Sequence, residues 1–330
     1  MARPAGLEPA TRGLEGRRSI QLSYGREREA PPSYHAAAPA VRFVLTMGSM
    51  SRFRGVLGLP YVDLEPYIDT TALDAIDDEV CVALTEIATE YTGGSHKHMG
   101  IVPPSLADDA YVDYGEVIDG FSRDEFARFI ALSDTPGAFD VERQRDYLFG
   151  EEREHPLSRK QMLFLKYRYG VYFPWKVFYE MIPTLDWDDK SHGIGKAFKP
   201  EALEYFPKLV DFVRRLPFHA IGRCNLLGLE ANDHGTVHTD LGETPKLAPD
   251  QFITICPRGD KRVFLWDEDA HEKTFIDARV YWFNDADYHG VEADPFFRYS
   301  IRVDGFFDEE FFARVRRDVD RSPAHARHSV

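Results

Sequence analysis

Cysteine is scarce in this chain of 330 residues. Cys81, Cys224 and Cys256 are odd in number and scattered, which excludes a disulfide framework and a thiolate zinc site and leaves ordinary reduced thiols. Positive charge is also short. The formal charge is −15, and because residues 1–46 carry seven Arg against four Glu, the remainder is near −18. Such a balance repels a phosphate backbone and predicts no nucleic-acid partner. No apolar run nears the ~20 residues of a membrane span, and the piece at Val41–Leu45 lacks the length and flanks of a signal sequence. The expectation is a soluble, cytoplasmic protein with no membrane partner. What is present, 43% hydrophobic and 13% aromatic residues, is enough to bury one sizeable core.

Residues 1–46 are dominated by Ala, Pro, Arg and Gly without an apolar period, so they are expected to be a disordered extension, or the product of a start placed upstream of Met47 or Met50. Residues 47–199 read as a mostly helical layer packing on the core. Within them Ile76, Val80, Leu84, Ile87 and Tyr91 recur at helical spacing over Asp74–Tyr91. Further helices are expected over Ser122–Ser133 and Ser158–Tyr169, the first with Ser122 as its N-cap. The aromatics of Lys166–Ile182, among them Tyr167, Phe173, Trp175 and Phe178, read as core packing.

A helix is expected from Pro200 to about Leu216, with Leu203, Phe206, Leu209, Val210 and Val213 as its stripe and a kink at Pro207. The rhythm then changes. Eight short β-like pieces follow: Ala220–Glu230, Thr236–Asp240, Phe252–Cys256, Arg262–Trp266, Lys273–Ile276, Arg279–Phe283, His289–Glu292 and Phe297–Phe306. Turn signals separate them and no helices intervene, which disfavours a parallel α/β sheet and predicts a double-stranded β-helix, or jelly roll, over residues 200–307. Residues 308–330 read as a C-terminal helix, bearing Phe311, Phe312 and Val315, followed by a disordered tail.

Inside the β-rich part, His238 and Asp240 are two apart, so in extended backbone both reach one side, and His289 follows in another short strand. Two imidazoles and a carboxylate are the ligand set of a mononuclear non-haem iron(II) site with open positions. In Arg298-Tyr-Ser-Ile-Arg-Val, alternation puts Arg298, Ser300 and Arg302 on one face. A guanidinium turned inward needs a partner, and a bound carboxylate supplies one. The competing reading is a solvated edge strand. Arg223 and Asn225 share a face of the first strand and can point inward to a carboxylate or a substrate. His234 lies in a turn and reads as exposed. His96 and His98, and the Asp267–His271 hairpin tip, read as solvated loops.

His-x-Asp at 238–240, the distal His289 and Arg-x-Ser at 298–300 stand in the order of the iron(II)- and 2-oxoglutarate-dependent dioxygenases, and the chain resembles that family. The segments Ile221-Gly-Arg-Cys-Asn-Leu-Leu-Gly-Leu-Glu and Tyr281-Trp-Phe-Asn-Asp-Ala-Asp-Tyr-His289 are most similar to the aspartyl/asparaginyl and proline hydroxylase branch. The resemblance spans about Leu203 to Phe307. It implies Fe(II) on His238, Asp240 and His289, Arg298 pairing with the distal carboxylate of 2-oxoglutarate, Ser300 adding a hydrogen bond, and O2 as oxidant. The implied reaction is hydroxylation of a C–H bond in an amino acid, a peptide-like molecule or a related small metabolite, with release of succinate and CO2. A protein side chain is an alternative substrate. A jelly roll that binds a metal or small ligand without oxidation is the alternative from another class, and it predicts Arg298 in solvent.

Overall fold

The capping chemistry of the helical part is local. In the computed structural model Ser122 and Ser158 each accept the backbone N–H three residues on, while Glu125 and Gln161 return to the cap nitrogens. These reciprocal pairs start α3 (Arg123–Ile130) and α4 (Arg159–Tyr169). Gly170, at φ +70°, ends α4 in the left-handed conformation that glycine adopts without a Cβ penalty. The structure describes residues 53–89, 114–149, 155–184, 189–240 and 248–321, all within one compact unit, Ala40–Val330. The extension at 1–46, Tyr91, His96 and His98 lie outside the described residues.

Before α3 come β1 (Tyr61–Asp63), α1 (Leu73–Glu86) and α2 (Gly115–Asp119). Helix α1 buries Leu73, Ile76, Val80 and Ala83 and ends earlier than its apolar period, because Ile87 is already extended. The segment Tyr114–Phe173 builds an aromatic cluster of its own around Phe126 and Phe129. It is followed by β2 (Val177–Ile182), α5 (Pro200–Tyr205) and α6 (Pro207–Arg214). The expected single helix over 200–216 is therefore two: Pro207 has no N–H to donate, and Phe206 leaves helical geometry at φ −125°, ψ 44°. The break rotates the stripe, so Leu203 is exposed and Ala202 takes the buried position.

Eight strands then run as β3 (Phe218–Leu229), β4 (Gly235–His238), β5 (Phe252–Ile255), β6 (Val263–Asp267), β7 (Glu272–Phe275), β8 (Val280–Phe283), β9 (His289–Val291) and β10 (Arg298–Phe307), before α7 (Glu309–Arg321). Among the described residues they form, with β1 and β2, two antiparallel sheets, a six-stranded one in the order β1-β8-β5-β10-β3-β2 and a four-stranded one in the order β4-β9-β6-β7. Strands β1 and β2, which lie before residue 200, extend the larger sheet at its two edges, so the N-terminal part is not only a helical layer. Helix α7 covers the core through Val315 and Val319, with Phe311 against Phe307 and Phe312 against Trp282. Close approach is built in at Gly222, where a Cβ would stand 2.3 Å from the Lys190 carbonyl, so the segment holding Lys190 lies directly on β3. Among the described residues no helix is long and apolar enough to cross a membrane.

Candidate metal centre and adjoining cavity

Register brings the two imidazoles together. His238, the last residue of β4, is the direct partner of His289, the first of β9, and their ring centroids are 4.4 Å apart. Asp240 lies just beyond β4, so strand alternation does not carry its main chain; its N–H donates instead to the Asp285 carbonyl at 2.8 Å. Its Oδ1 stands 3.4 Å from His238 Nε2 and 4.0 Å from His289 Nε2. The ligand atoms of the three residues lie within 4.8 Å of one another, the one such group of three among the described residues.

The second nitrogen of each ring sets which atom faces this point. His238 Nδ1 is 2.6 Å from the Thr236 carbonyl, and His289 Nδ1 is 2.9 Å from the Asp287 carbonyl. A carbonyl only accepts, so Nδ1 carries the proton and Nε2 presents a lone pair in the neutral ring, the arrangement a metal ligand needs. Burial pushes the His289 imidazole from its ordinary 6.5 to about 4; the facing His238 adds to the shift and Asp240 opposes it. Burial resists ionisation of Asp240, but the contact with His238, the charge that His289 gains in acid and the charge of Arg302 outweigh it and hold the carboxyl well below its usual range. Two neutral imidazoles and one carboxylate suit a divalent cation.

These shifts set a pH dependence. Between about 4 and 6.5 the folded His289 binds fewer protons than the unfolded one, so its contribution to stability is complete above 6.5 and is lost as pH falls through that window. Asp240, also depressed, adds a loss at lower pH with the same sign. Urea unfolding of metal-free protein should therefore show a lower midpoint at about pH 5 than at about pH 7.5. Equal midpoints would contradict it.

Side chains of both sheets line a cavity at this point. Arg223, Asn225, Ser300 and Arg302 enter from β3 and β10, and His238, His289 and Val291 from β4 and β9, with the main chain of Gly290 between the last two. Arg223 and Asn225 both lie on the cavity wall. Arg223 is ion-paired to Asp304 at 2.9 Å, and Asn225 leaves its buried Oδ1 without a hydrogen-bond partner. An orphaned polar atom beside a cavity fits a ligand that supplies the missing contact.

Arg298 is where sequence and structure part. Although completely buried, it is not among the residues lining the cavity. It opens β10 opposite Leu229, the last residue of β3, so the loops at that end close over it. Its guanidinium donates to the carbonyls of Glu230, Asp233, Glu292 and Phe296, with the Asp294 carboxylate at 3.4 Å. Those contacts make it a staple between the 230–233 turn and the 292–297 connection. It is not in solvent, and β10 is a central strand between β3 and β5, not an edge.

The cation in the cavity beside Ser300 is Lys261. Its ammonium donates to Ser300 Oγ at 2.7 Å and to the Leu227 carbonyl at 3.0 Å, and lies 4.7 Å from the Trp175 ring centroid. Burial lowers its pKa to about 7, with Cys256 opposing that shift and Arg298 adding to it. Lys261 lies just before the expected strand Arg262–Trp266 and was not among the candidate residues. The signal lay in parity, since Lys261 is two residues before Val263, which also lines the cavity. Trp175 is likewise a wall of the cavity, although most of its neighbouring aromatics are core or, like Tyr167, exposed. His234 is half-buried and stacks on Tyr172 at 4.8 Å, away from the ligand group.

No family model matches the chain, and no curated protein does. Solved structures are similar to it over part of its length. A Pseudomonas putida prolyl-4-hydroxylase is 10% identical, covering 32% of this chain and 64% of that one, with a TM-score of 0.21. An oxidoreductase of the 2OG-Fe(II) oxygenase family from Burkholderia pseudomallei is 15% identical over 38% of this chain and 66% of that one, at 0.27. The viral collagen prolyl hydroxylase of Paramecium Bursaria Chlorella virus-1, in its 2OG complex, is 8% identical over 39% and 76%, at 0.23. The first two matches span less than two thirds of those chains. At such scores the likeness carries no weight of its own, and the functional reading rests on the ligand group and its cavity.

Proposed function

We propose that the protein is an iron(II)- and 2-oxoglutarate-dependent dioxygenase that hydroxylates a C–H bond of an amino acid, a peptide-like molecule or a related small metabolite. The observation that carries this reading is the convergence of His238 Nε2, His289 Nε2 and Asp240 Oδ1 beside a cavity that also holds the Lys261–Ser300 pair. The order of β3–β10, alternating between two sheets as β8-β5-β10-β3 and β4-β9-β6-β7, supports the jelly roll. His238, Asp240 and His289 would hold Fe(II). Bound there, the metal supplies the oxidising chemistry that splits 2-oxoglutarate to succinate and CO2 and delivers oxygen from O2 to the substrate. Lys261 takes the role expected of Arg298, meeting the distal carboxylate with Ser300, while Asn225 and Arg223 are at hand for its other end. A dianion arriving beside Lys261 favours the protonated ammonium. Trp175 and the apolar residues Leu227, Val263 and Phe283 of the same wall exclude water from the reacting atoms.

Anaerobic titration of metal-free protein with Fe(II) and then 2-oxoglutarate tests this reading. The expected result is a visible charge-transfer band with 2-oxoglutarate that Fe(II) alone does not give. Bound Fe(II) without that band would favour a jelly roll that binds a metal without oxidation. With the band in hand, succinate release on screening amino acids and peptides separates a small substrate from a protein side chain.

A further inference from the structure

The described carboxylate of the ligand group has two oxygens in unlike surroundings. Oδ1 faces the imidazoles, whereas Oδ2 accepts from Arg302 Nη1 at 2.7 Å. The same guanidinium binds Asp285 Oδ2 through Nη2 at 2.5 Å and Asp304 Oδ1 through Nε at 3.0 Å, and its carbon lies 3.9 Å from the Phe252 ring centroid. With three carboxylates on three sides and a ring on its face, Arg302 has little freedom to turn. Asp285 is in turn bound by Lys190, which reaches Asp250 at 2.6 Å and Asp285 at 3.2 Å, and Arg223 neutralises Asp304. The Asp285 carbonyl also holds the Asp240 N–H. Main chain and side chain of Asp240 are thus fixed from one direction.

We infer that Arg302 is a positioning residue that occupies Asp240 Oδ2, makes this carboxylate a one-oxygen donor, and so keeps one further metal position open for exogenous ligands. The inference rests on the metal-centre reading above. A planar fork suits this role, since Nη1, Nη2 and Nε reach Asp240, Asp285 and Asp304 in fixed directions, whereas the rotatable ammonium of a lysine defines no such plane. A carboxylate released from such a partner is free to chelate through both oxygens, and each oxygen gained displaces one bound water.

Water-proton relaxation of the Mn(II)-loaded full chain reads that difference directly, without turnover. Three protein donors on an octahedral ion leave three waters, and four leave two, so Arg302→Gln is expected to lower the inner-sphere relaxivity by about a third. Lys190→Met disturbs the far end of the network without touching Asp240 and should keep the native value. If Arg302→Gln does not fold, Arg302→Gln/Asp285→Asn removes one charge of each sign and makes the same prediction. A native value already corresponding to two waters overturns the inference without any variant. So does a folded Arg302 variant with native relaxivity. Absence of Mn(II) or Fe(II) binding by native protein sinks the metal-centre reading, and this inference with it.

Discussion

Fe(II) affinity in His289→Ala should fall by more than about a hundredfold, since loss of a direct ligand exceeds the 10–100-fold cost typical of losing the partners behind one. The substitution removes a lone pair at the point where His238 Nε2 and Asp240 Oδ1 converge, and nothing else in the group replaces it. Folding should survive, because the β4–β9 pairing is made by backbone atoms. A second readout separates ligand loss from general damage. The fall in stability expected of the unsubstituted protein between about pH 6.5 and about 4 comes from burying an imidazole that resists protonation, so the variant should lose most of that acid sensitivity. Retained Fe(II) affinity in folded His289→Ala would remove this residue from the ligand group.

The second large effect is a contrast between two cations. Lys261→Met should raise the KM for 2-oxoglutarate by about 10²–10³, the equivalent of breaking one buried charge pair, while leaving Fe(II) affinity intact. Arg298→Met should instead cost about 3–5 kcal/mol of stability, because it strands the carbonyls of Glu230, Asp233, Glu292 and Phe296 together with the Asp294 carboxylate. The folded fraction of Arg298→Met should keep its KM for 2-oxoglutarate. Chemical denaturation and steady-state kinetics on the two variants decide the matter. The reverse pattern, with KM following Arg298 and stability following Lys261, would return the carboxylate role to Arg298.

The strands from Phe218 onward were legible because turn residues separate them and no helical period intervenes. Their observed limits lie within a residue or two of those expected. The helix cap at Ser122 was legible because its partner Glu125 lies three residues on; the matching cap at Ser158, at the start of an expected helix, was not named. His238 and His289 stood out because the chemistry of the pair is specific. Other features depended on contacts distant in sequence. Whether an inward arginine meets a cavity or a ring of carbonyls is decided by loops at 230–233 and 292–297, which periodicity does not describe. Lys261 falls between an expected turn and an expected strand, and only the position of Leu227 and Ser300 makes it a buried cation. Trp175 belongs to a run whose members are mostly core, so its place on the cavity wall is set by the sheet it faces.

The position of β10 has a kinetic consequence. It comes last among the strands in chain order yet lies in the middle of the larger sheet, pairing with β3 on one side and β5 on the other. Until it arrives, β3 and β5 have open edges, and Arg302, which restrains Asp240, is absent from the site. Sheet closure over so long a sequence separation is slow, because loop entropy is paid before the contacts are gained. His238, Asp240 and His289 all precede β10 in the chain, so the contact that fixes Asp240 Oδ2 forms only after this later strand has been inserted.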